Sequence, residues 1–269
     1  MRLDATTVAV VTGAASGIGA ALARDLDRRG ARLAICDVDE EGLAATVAAC
    51  GGRPLAARVD VSDESAVRAF ADRVLAERGT PGLVVANAGI AFAGSVAEAS
   101  TADIKRVIDI DLWGVIHTDR AFLPAMLEAR RGAIVNVSSL FGLIGVADHA
   151  AYCAAKAGVK GFTESLDAEV RSRGLEVLCV HPGAIATNII KSAKFGPLSG
   201  KAGKRLSEAI IDRGMPPAEA ARRILAAVEN GDRRLVLGND AKVLALLQRL
   251  APVRYRDIMR AVERRRRKR

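Results

Sequence analysis

The sequence predicts an α/β fold: a single domain built on a doubly wound parallel sheet of about seven strands, with helices on both faces. Seven apolar runs have the length and continuity of strands buried on both faces of a sheet. Helical segments separate these runs, and that alternation indicates right-handed βαβ units and a parallel sheet. The 269 residues, half of them hydrophobic, suit one large domain. The predicted strands are 8–11, 32–36, 55–59, 83–86, 133–137, 175–180 and 234–237.

Helical periodicity and boundary signals place the elements between these strands. A predicted helix that ends near Arg78 has Ser62 as its expected N-cap. The other predicted helices are 20–29, 40–49, 101–130, 152–172 and 216–230. We expect residues 1–238 to form the main domain. The polar, basic stretch 188–215 interrupts the alternation and is predicted to be a lid over a substrate site.

A glycine-rich loop follows the first strand and precedes the first helix. It reads Thr12-Gly13-Ala14-Ala15-Ser16-Gly17-Ile18-Gly19. Glycines allow a tight turn and a close approach of the backbone, and a helix N-terminus offers free N–H groups to a pyrophosphate. An ordinary βα turn is the alternative, but the flanking strand and helix favour a dinucleotide-binding Rossmann arrangement.

Asp37 ends the second strand, 18 residues after Gly19, close to the spacing of about 20 for the acid that holds the adenosine ribose. A carboxylate there repels a 2′-phosphate, and neither Val38 nor Ser16 is basic. These residues predict NAD rather than NADP as cofactor. Asp60, with Val61 beside it, is expected to reach the adenine, although a turn-capping role for Asp60 is as well supported.

Ser139, Tyr152 and Lys156 combine a hydroxyl, a phenol and an ammonium group within one short span. Tyr152 and Lys156 are four residues apart, so a helix would place both side chains on one face. A neighbouring cation favours the phenolate, which predicts a lowered pKa for Tyr152 and a role in proton transfer. A surface Tyr and Lys without function is the alternative for this spacing alone.

Composition excludes several classes of protein. The formal charge is +9, but residues 264–269 are all cationic and leave +3 for the rest, so no specific nucleic-acid binding is expected. Four cysteines show no paired spacing and predict a reducing, cytoplasmic environment. His117, His149 and His181 have no ligand spacing, so no metal site is expected. No apolar run is long enough to span a membrane, and no signal peptide is evident.

Taken together, these motifs closely resemble the short-chain dehydrogenase/reductase family over residues 7–238. The loop 12–19 matches its TGxxxGxG motif, and Ser139 with the pair Tyr152 and Lys156 matches its catalytic serine and YxxxK motif. Two further segments match the family's NAG and PGxxxT motifs. They are Asn87-Ala88-Gly89 and Pro182-Gly183-Ala184-Ile185-Ala186-Thr187.

The resemblance implies an NAD(P)-dependent oxidoreductase that acts on the CH–OH group of a secondary alcohol, or on the matching carbonyl compound. Tyr152 would transfer the proton, Ser139 would hydrogen-bond the substrate oxygen, and Lys156 would hold the nicotinamide ribose and lower the Tyr152 pKa. The 182–187 segment would hold the nicotinamide carboxamide. The implied cofactor-binding residues are Gly13, Ser16, Gly17, Ile18, Gly19, Asp37, Asp60, Val61, Asn87, Ala88, Gly89, Tyr152, Lys156, Pro182, Gly183, Ile185 and Thr187.

Asp111 departs from the family pattern, which often has asparagine at this position. The family's backbone carbonyl there helps to hold a water that relays protons to the lysine, and a backbone group survives the change. An ionised Asp111 near Lys156 would stabilise the ammonium, which predicts retained activity with a shifted pH profile. A tolerated substitution without consequence is the alternative.

The substrate pocket and the assembly are less closely specified. Apolar residues after Ser139 would either line the pocket or pack in the core. They are Leu140, Phe141, Leu143, Ile144 and Val146. Lysines in the lid would favour an anionic substrate or an acyl carrier, or simply be solvated. By resemblance, the two long helices would form the interface of a homodimer or homotetramer.

The C-terminal extension 239–269 is predicted to form an amphipathic helix, a break at Pro252, and a second apolar stripe that runs into the basic tail. It would make weak contact with an anionic membrane surface, dock on a neighbouring subunit, or remain a disordered basic end.

Two other kinds of function are compatible with this fold. A catalytically silent nucleotide-binding sensor would usually have lost Tyr152 or Lys156. A non-redox enzyme, such as a dehydratase or epimerase, is the nearest enzymatic alternative.

Overall fold

A computed structural model describes residues 1–187, 194–195 and 214–260. Most of the elements follow the predicted alternation. The strands are β1 (Val8–Thr12), β2 (Arg32–Asp37), β3 (Leu55–Arg58), β4 (Leu83–Ala86), β5 (Phe92–Ala93), β6 (Ala133–Val137), β7 (Glu176–Pro182), β8 (Lys194–Phe195) and β9 (Arg234–Leu237). The α-helices are α1 (Gly17–Arg28), α2 (Glu40–Ala48), α3 (Glu64–Arg78), α4 (Thr101–Ile108), α5 (Gly114–Ala129), α6 (Ala150–Val170), α7 (Pro217–Asn230) and α8 (Asn239–Leu250).

Seven strands form one parallel sheet in the order β3-β2-β1-β4-β6-β7-β9. The strand order reverses between the β1–β2–β3 half and the β4–β6–β7 half. Ligands of doubly wound sheets bind at such a switch point, outside the carboxyl ends of the strands. Strands β5 and β8 form a separate two-residue ladder, Phe92 opposite Lys194. The predicted seven-stranded, doubly wound fold is confirmed.

Apolar side chains of the strands point alternately into two cores, one on each face of the sheet. In β1, Ala9 and Val11 pack on one face, whereas Val8 and Val10 pack on the other. Helices α1, α2 and α7 cover the first core, and α3, α5 and α6 cover the second. Aliphatic side chains, with few aromatic ones, therefore fill the cores on both faces of the sheet.

The N-cap of one helix and the continuity of another differ from the prediction. The N-cap of α3 is Asp63, whose side chain accepts hydrogen bonds from the amides of Ser65 and Ala66. Ser62 instead donates from its hydroxyl to Asp60 Oδ1, so the predicted N-cap is wrong by one residue. The long helix predicted over 101–130 is divided into α4 and α5 by a π-helical turn, Asp109–Trp113. Such insertions often lie at functional sites.

Gly142 allows the end of β6 to lie against α6. A Cβ at this position would lie 2.5 Å from Ser138 Oγ and 2.6 Å from the carbonyl oxygen of Lys156. Residues 140–142 form a 3-10 turn between the strand and the helix. The turn can therefore pack directly on the α6 backbone because position 142 carries no side chain.

We expect Gly142→Ala to lower the free energy of unfolding by about 2 kcal/mol, because the added methyl group overpacks this contact. Gly161→Ala on α6 is the matched control, since a Cβ there would have nothing within 4 Å. The control should stabilise the protein by about 0.5–1 kcal/mol through helix propensity. Denaturant unfolding of both variants would measure this, and equal effects of the two substitutions would contradict the packing argument.

Candidate active site

The three catalytic candidates meet at the carboxyl edge of the sheet, between β6 and α6. Ser139 is the N-cap of the 3-10 turn Leu140–Gly142, while Tyr152 and Lys156 lie one turn apart near the start of α6. The Ser139 side chain is close enough to the Tyr152 phenol to influence its pKa. Lys156 Nζ lies 5.8 Å from the centroid of the Tyr152 ring. The predicted serine, tyrosine and lysine are therefore brought together.

The backbone and the side chain of Lys156 are both held by residues at the end of β6, namely its last residue Val137 and the following Ser138. Its side chain is buried, and Nζ donates to the carbonyl oxygen of Val137 at 3.2 Å. Its own carbonyl oxygen accepts from the hydroxyl of Ser138 at 2.7 Å. Val137 and Ser138 were not among the predicted site residues, because neither contact follows from the YxxxK spacing.

The pKa of Tyr152 is raised above its usual value. Burial contributes most, and the charge of Asp111 adds to it, since both disfavour the phenolate. The nearby Ser139 hydroxyl favours the phenolate and lowers the pKa, which opposes these two effects. The net direction is therefore opposite to the lowering expected from the Lys156 charge, and that expectation is wrong for this structure. Tyr152 is held as a neutral phenol that can donate a proton.

Asp111 lies in the π-helical turn and is fully buried. Its Oδ1 accepts a hydrogen bond from the amide of Ile90 at 2.7 Å, whereas Oδ2 is buried and has no partner among the residues that the structure describes. A Cβ on Gly89 would lie 2.9 Å from Asp111 Oδ1 and 3.2 Å from Lys156 Nζ, so both charged groups border this glycine. Burial raises the pKa of Asp111 to about 6, while Lys156 and the Ile90 amide oppose that shift.

His181 supports Ser139 from the neighbouring strand and was not predicted as a site residue. It is fully buried in β7, and its Nδ1 lies 3.2 Å from the carbonyl oxygen of Ser139. Because a carbonyl can only accept, Nδ1 carries the proton in this contact. Burial lowers the pKa of His181 to about 4, so the ring stays neutral near pH 7. The feature of the sequence that could have indicated His181 as a site residue is its position directly before Pro182.

The glycine-rich loop adopts the close-packed backbone that its composition predicts. Gly13 and Gly17 have φ angles of 68° and 56°, which favour glycine. Asn87 Nδ2 donates to the carbonyl oxygens of Thr12 and Gly13, at 3.0 and 3.1 Å. The hydroxyl of Thr12 accepts from the amides of Asn87 and Ala88. Thr12, missed as a site residue, therefore joins the loop to the end of β4.

The N-terminus of α1 lies at the end of this loop. Ser16 is the N-cap residue, and its side chain makes no capping hydrogen bond. The first N–H groups of a helix have no intrahelical partner, so those of Gly17, Ile18 and Gly19 suit an anion. A Cβ on Gly19 would collide with the carbonyl oxygen of Gly13, so this close turn requires glycine. The cradle fits a pyrophosphate group.

Asp37 faces the glycine-rich loop. Its Oδ2 accepts from the amide of Ala15 at 2.9 Å, and its Oδ1 accepts from the amide of Asp39 at 3.1 Å. Asp60, by contrast, serves its own turn, since Oδ1 accepts from both the amide and the hydroxyl of Ser62. The capping role of Asp60 is therefore present in the structure, while its predicted contact with adenine stays a prediction.

Val61 and the 182–187 segment complete the predicted set. Val61 is buried, and its carbonyl oxygen lies 3.0 Å from His117 Nδ1. A Cβ on Gly17 would lie 3.1 Å from Thr187 Cγ2, so Thr187 lies over the glycine-rich loop. Three other members occupy or follow the end of β7: Pro182, Gly183 and Ile185.

Asp240 was missed because it lies in the C-terminal extension. Its Oδ2 accepts from the amide of Ala184 at 3.1 Å. A Cβ on Gly183 would lie 2.7 Å from the same carboxylate oxygen. The chain at residues 183–184 can therefore approach Asp240 because position 183 is glycine.

The apolar residues after Ser139 divide between two environments. Leu140 and Ile144 are buried in a cluster with the C-terminal extension, so they pack rather than line a pocket. Phe141 lies beside Tyr152, with ring centroids 6.0 Å apart and planes at 80°. The predicted lid over 188–215 lies outside the described residues, apart from 194–195 and 214–215.

The part of the chain that the structure describes lacks two other kinds of feature. No group of three or more histidine, cysteine, aspartate or glutamate side chains there could hold a metal ion. Among the same residues, no helix has the length and apolar character needed to cross a membrane.

Comparison with known proteins agrees with this geometry. The sequence profile of the short chain dehydrogenase family matches residues 7–195. The chain belongs to this family. SadH of Mycobacterium tuberculosis, whose name calls it an oxidoreductase, is 43% identical over 262 residues, 94% of each chain. Cis-4-hydroxycyclohexanecarboxylate dehydrogenase of Sinomonas cyclohexanicum is 46% identical over 189 residues, which are 69% of this chain and 76% of the relative.

Two solved structures of the family hold different coenzymes. A short-chain dehydrogenase/reductase of Burkholderia phymatum in complex with NAD has a TM-score of 0.85 at 29% identity, covering 93% of this chain and 94% of its own. A metagenomic short-chain oxidoreductase in complex with NADP has a TM-score of 0.64 at 41% identity, covering 68% and 84%. A nicotinamide dinucleotide is therefore the coenzyme class for this fold.

We expect Asp111→Asn to become more stable than the wild type as pH rises. The Asp111 pKa is raised from 3.8 to about 6 in the folded protein, so folding disfavours the charged form. That cost is absent below pH 4 and complete above pH 6, and it corresponds to roughly 2–3 kcal/mol. Denaturant unfolding at pH 4 and pH 8 would measure the difference.

The same substitution should move the pH–rate curve for alcohol oxidation toward lower pH, because it removes a charge that raises the Tyr152 pKa. Asp109→Asn is the control, since this carboxylate in the same turn pairs with Lys105 at 2.6 Å. Superimposable curves for Asp111→Asn and wild type would contradict the electrostatic role.

Proposed function

We propose that this protein transfers a hydride between NAD(H) and a secondary alcohol or its ketone, with Ser139, Tyr152 and Lys156 as catalytic residues. The observation that carries the proposal is the convergence of three side chains: Lys156 Nζ lies 5.8 Å from the centroid of the Tyr152 ring, and the Ser139 hydroxyl is close enough to the phenol to lower its pKa. This group lies at the carboxyl edge of the sheet, on the same side as the glycine-rich cradle.

The residues around the cradle suit a dinucleotide. The glycine-rich loop and the α1 N-terminus would hold the pyrophosphate, and Asp37 would hold the adenosine ribose. Residues 87–89, Lys156 and Thr187 would border the nicotinamide end. When bound, the nicotinamide supplies the hydride acceptor or donor.

Tyr152 would donate its proton to the carbonyl oxygen during reduction. Its raised pKa keeps the phenol protonated near neutral pH, which suits this direction. The Ser139 hydroxyl would hydrogen-bond the same oxygen and stabilise the charge that develops on it. In oxidation the proton would pass from the alcohol to the phenolate, so that direction should gain rate as pH rises.

Substrates would be small secondary alcohols with an apolar or cyclic body. Phe141 forms an aromatic wall beside Tyr152, and His149 packs edge-on against Phe141, with ring centroids 5.1 Å apart. A relative of this chain is named for cis-4-hydroxycyclohexanecarboxylate, a cyclic secondary alcohol that also carries a carboxylate. The predicted preference of the lid for an anionic substrate or acyl carrier stays a prediction.

The proposal also covers assembly and location. The protein would form a homodimer or homotetramer through α5 and α6, and act in the cytoplasm. Helix α8 leaves Val243, Leu246 and Leu250 exposed. Weak contact of the extension with a membrane surface stays a prediction, since residues 261–269 lie outside the described part.

An assay of wild-type protein would test the proposed reaction. We expect reduced nicotinamide to form from NAD with cyclic or aliphatic secondary alcohols, measured by its absorbance. Tyr152→Phe should lower kcat roughly a thousandfold, since it removes the proton donor, whereas calorimetry should show that the variant still binds NAD. Cys153→Ser is the matched control from the same helical turn.

Wild-type activity that survives in Tyr152→Phe would refute the assigned role. NAD binding without any reduction would favour the silent sensor. Turnover of substrate without net redox change would favour a dehydratase or epimerase.

Coenzyme choice can be tested at Asp37. We expect Asp37→Asn to lower the ratio of kcat/KM for NAD to that for NADP by roughly 10- to 100-fold, because it removes a charge that repels the 2′-phosphate. Asp60→Asn is the comparison, because that carboxylate serves a turn and should change the ratio little. An unchanged ratio in Asp37→Asn would rule out this basis for selecting NAD.

A further inference from the structure

The segment that connects the two catalytic positions is tied to the far end of the chain. Residues 140–149 form a 3-10 turn and a loop between Ser139 and helix α6. Tyr255 Oη accepts a hydrogen bond from the amide of Gly145 at 2.9 Å, across 110 residues of sequence. The contact joins the C-terminal extension to the loop that leads into Tyr152.

Tyr255 is the buried member of an otherwise exposed stretch. It is 7% exposed, whereas Val253 is 68% and Ile258 is 43% exposed. An aromatic ring buried to this extent, with its hydroxyl on a backbone amide, contributes both apolar contact and a directional bond. The burial shows that this segment of the extension packs on the protein through Tyr255.

A separate apolar cluster surrounds this contact. Its buried members come from the loop and from the extension alike: Leu140, Ile144, Ala241 and Tyr255. Partly buried residues from both sides pack on them: Phe141, Leu143, Val146, Val236, Leu244, Leu247 and Met259. The loop therefore has its own small apolar core, and the extension contributes two of its four buried residues.

Phe141 connects this cluster to the catalytic tyrosine. It packs against the cluster and also lies edge-on to Tyr152, with ring centroids 6.0 Å apart. A loop displaced at Gly145 would move Phe141, and with it the wall beside the phenol. Displacements of about 1 Å in a catalytic site can cost up to two orders of magnitude in rate.

We propose that Tyr255 is a positioning residue, whose hydroxyl and ring hold the 140–149 loop so that Phe141 and Tyr152 keep their places beside the substrate. The kinetic part of this inference rests on the proposed dehydrogenase function. The structural part, that Tyr255 sets the surroundings of Tyr152, does not depend on it.

The chain contains two tyrosines, so fluorotyrosine labelling gives one ¹⁹F resonance for each. Tyr255→Phe removes one resonance and leaves that of Tyr152. We expect the Tyr152 resonance to move by more than its linewidth, and hydrogen exchange in peptides covering 143–148 to become at least several-fold faster. Ile258→Ala, an exposed change in the same segment, should leave both unchanged.

In the activity assay, Tyr255→Phe should raise the KM for the alcohol about fivefold, which corresponds to one lost hydrogen bond. Binding of NAD by calorimetry should stay unchanged, which a general loss of structure would not allow. If the wild type shows no activity, the proposed function fails, and a moved Tyr152 resonance still supports the positioning contact. An unmoved resonance with exchange like that of Ile258→Ala would overturn the inference.

Discussion

The attachment of helix α6 to the end of strand β6 determines where the reactive groups lie. Ser138 binds the backbone carbonyl of Lys156, and the Lys156 ammonium binds the carbonyl of Val137. Both bonds are buried, where an unpaired donor would cost about 1–3 kcal/mol. Gly142 permits the approach because a Cβ there would meet the Lys156 carbonyl. The lysine is therefore fixed by the strand that also delivers Ser139, and the distance between the two is set by the backbone.

Electrostatics at this site follow from burial more than from the nearest cation. Asp111 has no exposed surface, and Oδ2 has no partner within the described residues. Burial thus opposes its ionisation, and its charge in turn raises the Tyr152 pKa. The Lys156 ammonium donates to the carbonyl of Val137, and its charge also opposes the rise in the Asp111 pKa. The spacing of Tyr152 and Lys156 predicted a cation beside a phenol, and the family pattern placed Asp111 near Lys156, but neither predicted that both Asp111 and the phenol are buried.

The sequence was most informative where local patterns determine structure. Continuous apolar runs located the seven sheet strands within two residues, because strands buried on both faces have this composition. The π-helical turn at Asp109–Trp113 was not predicted, since its apolar periodicity matches that of a continuous helix. Asp63, rather than Ser62, caps α3, because both residues satisfy the same capping preference and only the backbone geometry selects between them. Two-residue strands such as β5 have no periodicity to detect.

Contacts between residues far apart in the sequence could not be predicted from local patterns. Two such contacts show that the described part of the C-terminal extension packs against the main domain. Asp240 accepts from the amide of Ala184 after β7, and Tyr255 accepts from the amide of Gly145 after β6. These strands are neighbours, so both contacts hold loops at the same edge of the sheet. A buried loop amide outside a sheet ladder must find a carbonyl of a turn, a side chain or water. The amides of Ala184 and Gly145 find their partners beyond residue 238, so a domain boundary placed there would divide hydrogen bonds that both sides share. The described part of the extension is accordingly a structural component of the site edge.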